Sequence, residues 1–283
     1  MTTKAKIIDG KSIANDIQNE VAEQITNLKL TPGLGVILVG NDPASELYVS
    51  LKQKAANKVG INFCLYKFDE DAKESEILET INWLNKDDEI HAILVQLPLP
   101  KHLDEDVIIQ AINSKKDVDG FHPQNIKAYL NNEPTIAPGL SMGIIQLITS
   151  TGENLKDKTA LIIAKSEEFT KPLEHTLSAF GVQSQSIQPN DPTLRDVMPT
   201  FDIIITAIGK PKWIMADFIK EKAILIDVGT TKLNNETVGD VDFESCKLKA
   251  SWITPVPGGV GPMTVAMLLK NTVALARQPI EQA

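Results

Sequence analysis

Short, almost unbroken apolar runs recur along this chain, and stretches with helical spacing of apolar residues separate them. LGVILVG (34–40), HAILVQLPL (91–99), TALIIAK (159–165), FDIIITAIG (201–209) and AILIDVG (223–229) are each too short for a globular helix and rich in β-branched residues. A strand this apolar has no polar face to show water, so it is covered on both sides. Between these runs, positions such as Ile13, Ile17, Val21 and Ile25 repeat at helical intervals. Alternation of this kind predicts βαβ units and a mostly parallel sheet.

The first series holds the strand-like AKIID (5–9), a helix through Ile25, the strand at 34–40 and a helix over 43–58. That helix is expected to bury a stripe of Leu47, Tyr48, Leu51 and Ala55. INFCLYKF (61–68), a helix over 74–85, the strand after His91 and the helical DEDVIIQAI (104–112) follow. A second series opens near residue 157, with QSQSIQ (183–188) and SWITPV (251–256) completing its strands, in the order of a doubly wound dinucleotide-binding domain. IAPGLSMGIIQLITSTGEN (136–154) reads as a connecting helix, with Gly152 placed for a left-handed cap. The expected fold is α/β: two α/β domains, the second Rossmann-like with a doubly wound parallel sheet, and a cleft between them. The expected boundaries are 1–137 for the catalytic domain, 138–262 for the Rossmann-like domain including the connecting helix, and 263–283 for a C-terminal helix that packs back on the first.

Length matters here because 283 residues suffice for two domains with sizeable cores. A formal net charge of -9 argues against a polyanion-binding surface, since nucleic acids and anionic membranes are held by clustered Lys and Arg. Cys64 and Cys246 are far apart and lie in no Cys/His cluster, so neither a disulfide framework nor a metal site is expected. No signal-like segment and no run of about 20 apolar residues is visible, and a soluble cytoplasmic protein is the expectation.

Tyr48 and Lys52 are one helical turn apart and so share a face. A partly buried lysine beside an aromatic ring can lose its proton near neutral pH and serve as a base or relay, although a solvated Lys beside a half-buried Tyr fits the same spacing. Gln96 ends an apolar strand, where a polar side chain points into the crevice beyond the carboxyl ends of a sheet, unless a loop backbone satisfies it. Asp119 sits in a turn with Gly120; its carboxylate can accept two hydrogen bonds from a ring N–H and an exocyclic amine, or simply stabilise the turn.

The strings NDPASELYVSLKQKA (41–55), HAILVQLPLP (91–100), KKDVDGFHP (115–123) and PVPGGVGPMT (255–264) resemble, in order and interval, signature segments of the methylenetetrahydrofolate dehydrogenase/cyclohydrolase family. IGKP (208–211), IDVG (226–229) and GDV (239–241) extend the likeness along the chain. The resemblance implies that Lys52 is the central catalytic group, that Gln96 holds and tunes it, and that Tyr48 positions the folate ring system. It further implies that Asp119 grips the pterin edge, and that Leu97, Pro257, Gly258 and Gly259 line the substrate site. It implies NADP at Ala164, Lys165, Ser166, Thr230 and Thr264, no metal, tetrahydrofolate derivatives as partners, and a homodimer.

The dinucleotide side departs from the family pattern. Where the family has a Gly-x-Ser-x-x-x-Gly-x-Pro loop, this chain reads Ala164 to Pro172, retaining Ser166 and Pro172 and losing both glycines to Ala164 and Thr170. A Cβ there blocks close approach of backbone to a pyrophosphate. Glu167 and Glu168 add like charge, and two such charges about 4 Å apart repel by roughly 4 kcal/mol at an effective dielectric near 20. Gln188 to Asp191 offers a carboxylate and no cation where the adenosine 2′-phosphate is expected, and Leu140 replaces a threonine on the nicotinamide side. The expectation is a folate enzyme with cyclohydrolase chemistry and weak or absent dinucleotide binding. Two alternatives stay open: a non-catalytic folate-binding paralogue acting as regulator or partner subunit, and a short-chain dehydrogenase built on Tyr48 and Lys52. The second lacks a glycine-rich nucleotide loop upstream of Tyr48.

Overall fold

The apolar runs become parallel strands, because the segment after each run, helical in most cases, carries the chain back before the next parallel strand begins. The computed structural model describes residues 4–234 and 236–277. In chain order these form β1 (Lys6–Ile7), α1 (Gly10–Leu28), β2 (Gly33–Val39), α2 (Pro43–Val59), β3 (Asn62–Phe68), α3 (Glu74–Lys86), β4 (Ala92–Val95), α4 (Glu105–Ala111) and α5 (Pro123–Leu130). There follow α6 (Gly139–Thr149), β5 (Thr159–Ala164), α7 (Glu167–Ala179), β6 (Gln183–Ile187), α8 (Leu194–Val197), β7 (Ile203–Ala207), β8 (Ile224–Asp227), β9 (Thr231–Leu233), β10 (Glu236–Val238), α9 (Phe243–Cys246), β11 (Trp252–Ile253) and α10 (Val260–Ala276).

The chain divides into two compact units, one of residues 1–14 and 140–264, the other of 15–139 and 265–283. Residues 278–283 of the expected C-terminal helix lie outside the described residues. In the second unit the sheet order is β3-β2-β4, all parallel, and every residue of β2 is buried. Its core gathers Ile37, Val39, Ile77, Ile81, Leu84, Ile93 and Ile108 from the sheet, α3 and α4. Near the C-terminal end of the chain, Asn271 on α10 donates from Nδ2 to the carbonyls of Val118 (2.9 Å) and Ala137 (3.2 Å), both in this unit.

The other unit carries six parallel strands in the order β1-β11-β8-β7-β5-β6. After β6 the chain passes to the opposite side of β5, so the strand order reverses between β5 and β7. In open α/β sheets the crevice at such a reversal is where ligands bind. Helix α7 begins there, shortly beyond the end of β5.

Three expectations are corrected. The opening strand does not belong with the first series: Lys6 pairs with Trp252 and Ile7 with Ile253, at the edge of the six-stranded sheet. A two-residue strand has no pattern of its own to select a sheet, and only the long-range pairing decides. The buried stripe of α2 is Ser45, Val49, Ala56 and Val59, while Leu47 and Leu51 are 54% and 45% exposed. Both stripes have helical period; small Ser45 and Ala56 allow α2 to lie close on β2 and β3, and hydropathy alone favours the leucines. The hairpin β9/β10 has no counterpart in the strand pattern read from sequence. Helix α10 starts at Val260, inside PVPGGVGPMT, rather than at residue 263.

Candidate active site

Helix α2 is fixed at both ends before it presents anything. Asp42 caps its N-terminus, accepting from the Ser45 amide at 2.8 Å, Pro43 occupies the first turn, and Gly60 closes it at φ 92° with its N–H on the last carbonyls. On this rigid rod Tyr48 and Lys52 lie beside the buried stripe, both half-buried.

Lys52 Nζ donates to Gln96 Oε1 at 2.9 Å, and Gln96 Nε2 donates to the Leu97 carbonyl at 2.6 Å. The second bond sets the amide orientation, so that an oxygen and not an NH₂ faces the lysine. Gln96 stands immediately after β4, its own amide donating to Ile37 O at 2.9 Å. Burial pushes the Lys52 ammonium below the usual lysine range, and the Asp119 carboxylate pulls the other way. Asp119 is itself pushed up to about 6 by burial, opposed by Lys52 and assisted by Asp117. The two groups therefore hold a lysine that gives up its proton readily near an acid that keeps one readily.

Tyr48, Lys52, Gln96, Leu97 and Asp119 all belong to the unit containing the three-stranded sheet. Pro257, Gly258 and Gly259 belong to the other unit, as do Ala164, Lys165, Ser166, Thr230 and Thr264. Gly258 has φ 113°, its carbonyl accepts from the Lys11 amide at 3.0 Å, and a Cβ on Gly10 would stand 1.9 Å from Gly259 O. The 255–259 turn is thus pressed against the start of α1 within one unit.

At the strand-order reversal, Ala164 is buried and Lys165 and Ser166 are exposed. The Ser166 hydroxyl, at the N-cap of α7, donates to Glu168 Oε2 at 2.6 Å and makes no bond to the helix N-terminus. Lys171 pairs with Glu167. Gln188 Nε2 donates to Lys165 O at 3.1 Å, and Asp191 accepts from the amide and hydroxyl of Thr193 at 2.8 and 2.6 Å. Those bonds hold the Asp191 carboxyl below the usual carboxylate range, and the Ser166 bond does the same for Glu168. Thr230 is exposed, and Thr264 Oγ1 donates to Gly261 O at 2.8 Å.

Residues 8–119 match the family described as tetrahydrofolate dehydrogenase/cyclohydrolase, catalytic domain, and residues 138–280 match its NAD(P)-binding domain. The chain belongs to the tetrahydrofolate dehydrogenase/cyclohydrolase family. Among curated members, the bifunctional protein FolD of Bacillus pumilus is 45% identical over 98% of this chain and 99% of its own length. That of Bacillus subtilis is 43% identical over 98% and 99%. Of solved family structures, the bifunctional FolD of Campylobacter jejuni superposes with a TM-score of 0.93 at 40% identity, covering 96% of this chain and 99% of its own. The dehydrogenase-cyclohydrolase of Trypanosoma brucei, solved with NADP and an inhibitor, gives 0.93 at 30% identity over 99% of both chains.

Sequence reasoning missed the buried carboxylates that shape this family fold. Asp117, two residues before Asp119, is 3% exposed and accepts from the Gly120 amide, the His122 amide and Asn125 Nδ2. Asp227 and Asp240 interlock in the six-stranded unit: Asp227 accepts from the amides of Gly229, Asp240 and Val241, and Asp240 from those of Ile208 and Lys210 and the Thr206 hydroxyl. The cue available in sequence was an Asp close to a glycine in each case. Among the described residues no group of three or more His, Cys, Asp or Glu side chains is placed to hold a metal ion, and no helix is long and apolar enough to cross a membrane.

Proposed function

We propose that this chain hydrolyses methenyltetrahydrofolate through Lys52, Gln96 and Asp119, and that its dinucleotide-dependent hydride transfer is weak. The observation that carries the first half is the 2.9 Å bond from a desolvated Lys52 Nζ to an amide oxygen whose orientation is locked. Water adds to the cationic methenyl carbon, forming a C–O bond. The neutral amine of Lys52 takes one proton from the attacking water and passes it to the departing nitrogen as the C–N bond breaks, while the remaining hydroxyl proton is released to solvent and the C=O of a formyl group forms on the other nitrogen. An uncharged acceptor such as Gln96 positions the amine without stabilising its charged form as strongly as a carboxylate would. Tyr48 would pack on the folate ring, and Asp119 would accept from the pterin N–H groups. Two copies of the chain would form a homodimer, which light scattering tests. A purely binding role leaves the lowered lysine pKa without a use.

The second half is supported by the chemistry at the start of α7. NADP would place its pyrophosphate on that N-terminus. There Glu167 and Glu168 add negative charge, Ser166 is engaged with Glu168, Lys171 with Glu167, and Ala164 and Thr170 carry side chains. This set does not fit a dinucleotide phosphate. Hydrolysis of methenyltetrahydrofolate by the purified protein without nucleotide, followed by loss of the methenyl absorbance, tests the first half. Calorimetric titration with NADP and NAD tests the second, and normal hydride transfer at micromolar NADP overturns it.

A further inference from the structure

Asp119 reaches its place by way of a loop that makes no regular pairing of its own. Val118 N donates to Ile93 O at 3.4 Å and Ile93 N to Lys116 O at 2.7 Å, which lays residue 117 beside β4. Beyond it the chain turns through Gly120, at φ 75°, where a Cβ would stand 3.1 Å from the Pro138 backbone. The carbonyl of Asp119 accepts from the Gly139 amide at 3.2 Å. Inside this turn lies the Asp117 carboxylate. Its Oδ1 accepts from Gly120 N at 3.2 Å, and its Oδ2 from His122 N at 2.7 Å and Asn125 Nδ2 at 2.9 Å. Asn125 is held in turn: Nδ2 also donates to Ser114 O at 2.8 Å, and Oδ1 accepts from the Thr135 hydroxyl at 2.9 Å.

We infer that Asp117, braced by Asn125, is a positioning residue for Asp119: it grips the backbone on the far side of that residue and so fixes where its carboxylate stands relative to Lys52. The inference rests on the assignment of Asp119 to the folate site. A turn stabiliser of ordinary kind would need one or two of these bonds. Here three donors from residues 120, 122 and 125 converge on a carboxylate with 3% exposure, so its loss is not made good by water. Lys52 and Asp117 are the charged groups that bear on Asp119, from α2 and from its own loop, and Asp117 disfavours its ionisation.

Asp117→Asn keeps the shape but turns an NH₂ toward at least one N–H donor, and it removes the charge. Asn125→Ser withdraws one donor and keeps the charge. Both are measured for methenyltetrahydrofolate hydrolysis, for melting temperature, and for Asp119 ionisation by carboxyl ¹³C NMR, with Asp119→Asn in parallel to assign the resonance. The expected result for Asp117→Asn is a fall in kcat/KM of roughly ten- to a hundredfold, as a misplaced catalytic or binding group produces, with Asp119 titrating at lower pH. Asn125→Ser is expected to lower kcat/KM by about three- to tenfold with the Asp119 titration in place. If Asp117→Asn does not fold, Asn125→Ser decides alone, and unchanged kcat/KM in it overturns the inference. Rates that fall only in step with melting temperature while Asp119 titrates as before in Asp117→Asn also overturn it. Unchanged hydrolysis and folate affinity in Asp119→Asn instead remove the site assignment beneath it, which keeps the two failures apart.

Discussion

Lys52 on α2 and Gln96 just beyond β4 are 44 positions apart in the chain and meet at 2.9 Å, Nζ donating to Oε1. The bond joins the helix after β2 to the strand that pairs with β2, so the βαβ winding itself delivers the pair. Lys52→Met keeps the length and packing of the side chain and removes the amine. It is expected to abolish hydrolysis of methenyltetrahydrofolate with little change in melting temperature. Gln96→Ala should lower the rate less, because it frees the lysine without deleting it. Wild-type turnover in Lys52→Met excludes this lysine from the chemistry.

The pH dependence follows from the neighbours of Lys52. Its neutral form accumulates as pH rises through a pKa that burial has lowered, so hydrolysis should climb with pH and level off below the ordinary lysine range near 10.5. Asp119 works against that lowering. Asp119→Asn removes the opposing charge, and the rising limb should move to lower pH even as the maximal rate drops. A limb that stays put in a pH–rate profile, or moves upward, contradicts the pairing.

Folate affinity should divide by residue type. Asp119→Ala is expected to weaken binding by roughly 1–3 kcal/mol, the usual cost of charge-assisted hydrogen bonds left unmade. Tyr48→Phe should cost less than Tyr48→Ala, since the ring survives in the first and not in the second. Fluorescence titration with a folate analogue reads all three; equal affinities place the ligand elsewhere.

At α7 the charge and steric effects are separable. Glu167→Gln with Glu168→Gln removes two negative charges, and Ala164→Gly with Thr170→Gly restores backbone access. The four changes together should raise NADP affinity by about tenfold or more, since about 1.4 kcal/mol corresponds to each factor of ten, and leave folate binding as it was. Isothermal titration showing no gain would mean that the obstacle lies in other residues, such as Leu140 or Asp191.

The interlocked Asp227 and Asp240 leave no room for side chains at two glycines. A Cβ on Gly239 would lie 2.0 Å from Asp227 Oδ2, and one on Gly229 2.3 Å from the Asp240 carboxyl carbon. Gly239→Ala should therefore destabilise the protein by several degrees in melting temperature. Burial pushes Asp227 up to about 7 from 3.8, with three backbone N–H bonds opposing and the Asp240 carboxylate adding. A folded-state pKa above the unfolded one gives stability that is complete below about pH 4 and lost as pH rises through about 7. Wild type should accordingly gain on Asp227→Asn as pH falls across that window, which paired thermal melts will read.

The strand runs, their parallel pairing and the doubly wound second series were legible before any folding, because hydrophobic period is a property of neighbours in the chain. Lys52, Gln96 and Asp119 stood out as candidates through the family resemblance of the strings that hold them, and their roles are proposed above. Which sheet takes the two residues of β1 was not legible, since so short a strand carries no register information and its pairing with β11 is a contact across most of the chain. Helix α2 reads wrongly in sequence, where Leu47 and Leu51 look like the core face and small Ser45 and Ala56 are what the sheet accepts. Nothing local shows that Asp117, Asp227 and Asp240 are buried, for a carboxylate becomes a core residue only when folded backbone amides converge on it. Asp117 draws its donors from the turn that follows it, whereas most donors to Asp227 and Asp240 come from separate segments that only the fold brings to one place.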